Sequence, residues 1–184
     1  FHAASVVIIS RGLSVRIADS FARDLQFLDV KAVSLYQDNM QAYLEKLPRN
    51  TFVIGLSLSG ETDLIVATAQ KAKRDGKKVL AITGNYKSRL VEQSDLLLLA
   101  YQKNLSGKIL IDYNNMFPLE LIIHLLIQLY KQYKEYGAIV WVLEIYWQIA
   151  MEADDDILSV NFFDLKINSW NYGLIRNLFQ MGVG

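Results

Sequence analysis

The stretch "TFVIGLSLSGETDLIVATAQKAKRDGKKVLAIT" (residues 51–83) sets a strand, a hydroxyl-rich turn, a helix and a second strand in one run. "TFVIGLS" is apolar and of strand length. "ETDLIVATAQKAKRDG" has helical spacing and is closed by Gly76 as its C-terminal cap, and "KKVLAIT" is apolar again. The alternation continues outward in both directions. Towards the N-terminus, "SVVIIS" (5–10) predicts a strand, and Val15, Ile17, Ala18, Phe21, Ala22, Leu25 and Leu28 predict a helix over 15–28. "KAVSLY" (31–36) is a further strand and "NMQAYLEKL" (39–47) a short helix ended by Pro48. Towards the C-terminus come a short helix "KSRLVEQS" (87–94), a strand "DLLLLA" (95–100), a loop or short strand "KILIDYNN" (108–115) and a long helix from about Pro118 to Tyr136. Continuous apolar strands alternating with helices indicate a parallel sheet covered on both faces. The expected fold is α/β: a three-layer αβα sandwich of five parallel strands, with all strand C-terminal ends on one edge.

Composition narrows the function. The chain has 184 residues, 52% hydrophobic and 21% charged, so it can fill one ordinary core. Its 19 basic and 19 acidic residues cancel, which gives no charge-based reason to expect a polyanion-binding face. Cysteine is absent, so there is no disulfide framework, thiolate metal site or cysteine nucleophile. With only two histidines, His2 and His124, no metal site is expected. The most apolar runs, 119–130 and 138–151, are shorter than the roughly 18 residues of a spanning helix, and no membrane contact is expected.

The chemistry lies at the turn after the third strand. Ser57, Ser59, Gly60 and Thr62 fall where a strand ends and a helix begins, the ligand-binding edge of an open α/β sheet. A helix N-terminus offers unpaired N–H groups and a partial positive charge. Three hydroxyls add donors, and Gly60 lets the backbone approach an anion closely. The pattern is a phosphate cradle without a lysine or arginine; neither a Walker loop nor a dinucleotide fingerprint is present. The plainer reading is helix capping by Ser59 or Thr62, with Glu61 favoured by the dipole. On the same edge, "SRGLS" (10–14) brings Gly12 for a tight turn and Ser14 as either a ligand hydroxyl or a cap. "ITGN" brings Thr83 and Asn85, which suit a sugar hydroxyl or an ordinary turn.

Residues 5–100 resemble a sugar isomerase (SIS) domain, the flavodoxin-like phosphosugar-binding module. The resemblance rests on "GLSLSGETDLIVATAQKAKRDGKKVLAITGNYKSRLVEQSDLLLL" and above all on Ser-x-Ser-Gly-x-Thr. It implies that Ser57, Ser59, Gly60 and Thr62 bind phosphate, with Gly12 and Ser14 from the earlier turn and with Leu58, Glu61, Thr83 and Asn85 nearby. Ser10 stands where that family usually has the first glycine of the earlier turn. Within the family, "YQDNMQAYLEKLPRNTFVIGLSLSGET" looks most like RpiR-type transcriptional regulators. This implies a cytoplasmic homodimer that senses a sugar phosphate without a cofactor and reaches DNA only through a helix-turn-helix domain absent from this chain. The first residue is Phe rather than Met, in keeping with a fragment or processed product.

The rival expectation is a sugar-phosphate isomerase or lyase, which needs a Glu or His base. The candidates are Glu61, Glu120 and His124; His124, in the apolar run 119–130, is expected to be packed or at an interface. A third reading is a dimerisation module with a vestigial site. Residues 1–137 are expected to form the phosphosugar domain, and 138–184 a helical or irregular extension. That extension holds all three tryptophans and carries six acidic but only two basic residues, a composition suited to an interface.

Overall fold

The computed structural model describes residues 3–100 and 116–136. The strands are β1 (Ser5–Ser10), β2 (Ala32–Leu35), β3 (Thr51–Leu56), β4 (Lys78–Thr83) and β5 (Leu96–Leu99). The helices are α1 (Ser14–Phe27), α2 (Met40–Glu45), α3 (Asp63–Arg74), α4 (Arg89–Glu92) and α5 (Phe117–Tyr136). The expected alternation is therefore present, each element within a residue or two of its sequence pattern. The stretch 108–115 and the extension 138–184 lie outside the described residues.

The five strands form one all-parallel sheet in the order β2-β1-β3-β4-β5. Burial explains their composition. All six residues of β3 are buried, and a strand covered on both faces has no reason to alternate polar with apolar residues. The edge strands β2 and β5 are only partly covered. Strand alternation divides the core in two. Val6, Ile8, Phe52, Ile54, Leu80 and Ile82 face α1 and α5. Val7, Ile9, Val53, Val79 and Ala81 face Met40 and Leu44 of α2, Ile65, Ala69 and Ala72 of α3 and Leu90 of α4.

Helix α1 buries Ile17, Ala18, Phe21, Ala22 and Leu25 along one stripe. Helix α3 has Asp63 in its first turn and Lys71, Lys73 and Arg74 in its last, charges that complement its dipole. It ends as expected, with Gly76 at φ 78° just beyond Asp75. Lys134, near the end of α5, donates to the Leu28 carbonyl (2.8 Å) and pairs with Asp29 (3.0 Å) at the end of α1. The two helices therefore run in the same direction, and α5 begins at the edge where the strands end.

The consequence for function is topological. After β1 the chain crosses to one face of the sheet through α1; after β3 it crosses to the other through α3. Two neighbouring strands whose outgoing loops part in opposite directions leave a crevice between them, and ligands of open α/β sheets settle there.

Candidate functional site

The β1–α1 and β3–α3 turns border that crevice. In the second, Ser57 is buried, and its carbonyl and Oγ both accept from the Gly60 N–H, at 3.1 and 3.2 Å. Ser59 Oγ accepts from the Glu61 N–H (3.2 Å). Ser57 Oγ and Thr62 Oγ1 stand 3.3 Å apart. Thr62 occupies the N-cap position of α3, yet its side chain makes no capping bond. The capping reading of Thr62 is thus not realised, and that of Ser59 reduces to a local bond within the turn. Two hydroxyls converge beside a first helical turn whose N–H groups have no carbonyl within the helix to bind.

Gly60 is fixed by its surroundings. Its φ is +67°, and a Cβ there would come within 2.1 Å of Ser88 Oγ and 2.9 Å of Thr83 Oγ1. The turn rests on the β4–α4 connection through several bonds. The Leu58 carbonyl accepts from the Gly84 N–H (2.9 Å) and from Thr83 Oγ1 (3.2 Å), and the Gly60 carbonyl accepts from the Leu90 N–H (3.0 Å). Leu58 itself packs its side chain against the core on the α1 face. Thr83 is fully buried and also accepts from the Asn85 N–H (3.2 Å), while Asn85 Oδ1 accepts from the Lys87 N–H (3.1 Å). These two residues hold the platform together, the ordinary-turn reading of "ITGN".

Arg89 completes the platform. Its Nε donates to Glu61 Oε2 (2.6 Å), its NH2 donates to the Glu61 carbonyl (2.6 Å) and to Asp63 Oδ1 (2.8 Å), and its backbone N–H donates to Glu61 Oε1 (3.1 Å). Sequence reading places no basic group at the turn, and Arg89 corrects that. It neutralises the two carboxylates that flank the start of α3, which would otherwise repel an anion. The side-chain hydrogen bond from Arg89 holds the Glu61 carboxyl below its ordinary value. A carboxylate held low is a poor proton acceptor, which weakens Glu61 as a catalytic base.

The sign of the resulting pH effect follows directly. A folded-state value below the unfolded one stabilises the fold at higher pH, and that share is lost as pH falls from 4.5 through the lowered value. Arg89→Met is therefore expected to melt at a lower temperature than wild type at pH 7. The gap should narrow in thermal melts taken at successively lower pH below 4.5. A gap independent of pH would contradict the assignment.

In the β1–α1 turn Gly12 has φ +61°, and a Cβ there would meet nothing within 4 Å, so the backbone geometry alone demands glycine. Leu13, not Ser14, is the N-cap residue, and Ser14 is the first helical residue, buried. Sequence reading offers Ser14 as a possible cap; the left-handed Gly12 starts the helix one residue earlier than that. Arg11 donates to the Tyr36 carbonyl (2.7 Å) and pairs with Asp38 (2.9 Å), tying this turn to the segment after β2.

Glu120 and His124 sit on α5 and both are exposed. The expectation that His124 is packed is not met within this chain: Leu119, Ile123 and Ile127 form the buried stripe and His124 falls outside it. Glu120 lies in the first turn of α5, at the strand-end edge, and neither residue belongs to the hydrogen-bond network of the hydroxyl turn.

A family model described as "SIS domain" matches residues 1–104. An uncharacterized protein of Archaeoglobus fulgidus is 29% identical over 101 residues, which are 55% of this chain and 53% of that protein. The chain thus spans about half the length of this curated relative. Among solved structures, the sugar isomerase domain of the RpiR transcription factor from Sphaerobacter thermophilus superposes with a TM-score of 0.63 at 19% identity over 80% of each chain, a likeness of fold. The E. coli CFT073 c3406 protein, solved in complex with a sugar phosphate, is similar at 27% identity, TM-score 0.51, over 54% of each chain.

Proposed function

Given that this chain belongs to the SIS domain family, we propose that it binds a sugar phosphate at the β1/β3 crevice and serves as the sensor domain of an RpiR-type transcriptional regulator. The observation that carries the reading is the convergence of Ser57 and Thr62 hydroxyls at 3.3 Å beside a helix start that neither of them caps. Hydroxyl donors and free N–H groups suit a phosphoryl group, which presents acceptors only. The sugar phosphate bound by the c3406 protein supports the same ligand class.

Sensing is preferred to catalysis for a reason local to the site. The carboxylate nearest the cradle, Glu61, is committed to Arg89. The regulator acts as a cytoplasmic homodimer and contacts DNA through a helix-turn-helix domain outside this chain. The experiment is an NMR titration with hexose 6-phosphates, their amino and N-acetyl derivatives and arabinose 5-phosphate, following line broadening and the appearance of new compounds. Broadening of one or two compounds without product supports a sensor. Conversion to an isomer or cleavage product would make the protein an enzyme, with Glu120 and His124 the first residues to replace. No broadening would overturn the phosphosugar reading.

A further inference from the structure

Ser10 is the last residue of β1 and stands in register with Leu56, the residue before Ser57. It is fully buried, and its Oγ has no hydrogen-bond partner among the described residues. Such a hydroxyl is unusual, because buried polar groups are nearly always matched. Alternation along β1 sets Ser10 on the face of Val6 and Ile8, the face covered by α1. That face also holds Ser14, buried at the start of α1, and between the two lies Gly12 with open space beside it. The unmatched hydroxyl therefore lies on the opposite wall of the crevice from Ser57 and Thr62.

We propose that Ser10 is a further ligand-contacting residue, its hydroxyl donating to an oxygen of the bound phosphosugar from the β1 side of the crevice. The proposal rests on the phosphosugar reading of this site and adds a donor that the hydroxyl turn does not contain. A glycine at position 10 would leave the ligand held from the β3 side and by Ser14; serine adds a third point of attachment. The ligand supplies the partner that the free chain withholds from this group.

This gives the test two readouts of opposite sign. Ser10→Ala removes an unmatched buried hydroxyl, so the ligand-free protein is expected to melt about 2–4 °C higher than wild type. It also removes a donor to the ligand, so affinity for the sugar phosphate that wild type binds best should fall about tenfold or more by calorimetry. A residue with a purely structural role would shift melting and leave affinity unchanged, and that result would overturn the proposal while leaving the phosphosugar reading intact. If wild type binds none of the hexose 6-phosphates, their amino and N-acetyl derivatives or arabinose 5-phosphate, the phosphosugar reading fails and the Ser10 contact fails with it.

Discussion

Replacing Ser57 and Ser59 together by alanine is expected to abolish sugar-phosphate binding and leave the protein folded. Each hydroxyl lost to an anionic ligand removes a charge-assisted bond worth roughly 1.5–3 kcal/mol, so the pair accounts for about two to four orders of magnitude in affinity. The fold has little stake in either group. The Gly60 N–H keeps its bond to the Ser57 carbonyl at 3.1 Å when the hydroxyl goes. Ser59 Oγ serves a single N–H in an exposed turn. Calorimetry of wild type and double variant against the same compound, with far-UV circular dichroism as the folding control, measures both. Unchanged affinity in a folded double variant would remove the phosphate cradle from this site.

Gly60→Ala should have the largest effect on stability of any single substitution at the turn. Two costs add. An L-residue at φ +67° carries strain of about 1–2 kcal/mol. Its Cβ would also stand 2.1 Å from Ser88 Oγ and 2.4 Å from Ser88 Cβ, far inside contact distance, and neither atom belongs to a long side chain that can swing aside. A loss of about 3–5 kcal/mol is expected, of the order of other overpacked or strained sites. The two costs are separable. Gly60→Ala combined with Ser88→Gly should recover the steric share and not the backbone share, so thermal melts of the two single variants and the double variant should show strong coupling. A Gly60→Ala protein as stable as wild type would mean the turn does not sit on the β4–α4 platform as described.

The fold was legible because its signals are local. β1 and β3 announce themselves as uninterrupted apolar runs, α1 by the recurrence from Val15 to Leu28, and α3 by its stop at Gly76. The hydroxyl turn was legible for the same reason, since Ser57 to Thr62 is contiguous. Arg89 was not. It lies 28 residues beyond Glu61 with a whole helix and strand between them, and only the parallel pairing of β3 with β4 brings it to the turn. "KSRL" was visible as a motif, but nothing in its spacing tells where the guanidinium goes. Ser88 and Thr83 are similar: their contact with Gly60 depends on how two successive loops stack. The phase of α5 was ambiguous because leucine and isoleucine occur almost all round it, so the side on which His124 emerges depends on packing against α1 and not on pattern. Ser10 looked like a departure from glycine, and its lack of a partner belongs to the three-dimensional structure alone.

The central claim is that a phosphoryl group is held between the β1–α1 and β3–α3 turns. The most direct test is a residue-by-residue map of backbone amide shifts as the best-binding sugar phosphate is added to isotope-labelled protein. The largest changes should fall at Gly60, Glu61, Asp63 and Leu64 and at Gly12 to Ser14, with little movement elsewhere in the sheet. The opposite edge offers a ready contrast, a cleft of about 250 Å³ lined by Ser5, Lys31, Ala32, Tyr43 and Leu47. Shifts centred there, with the hydroxyl turn silent, would contradict the account.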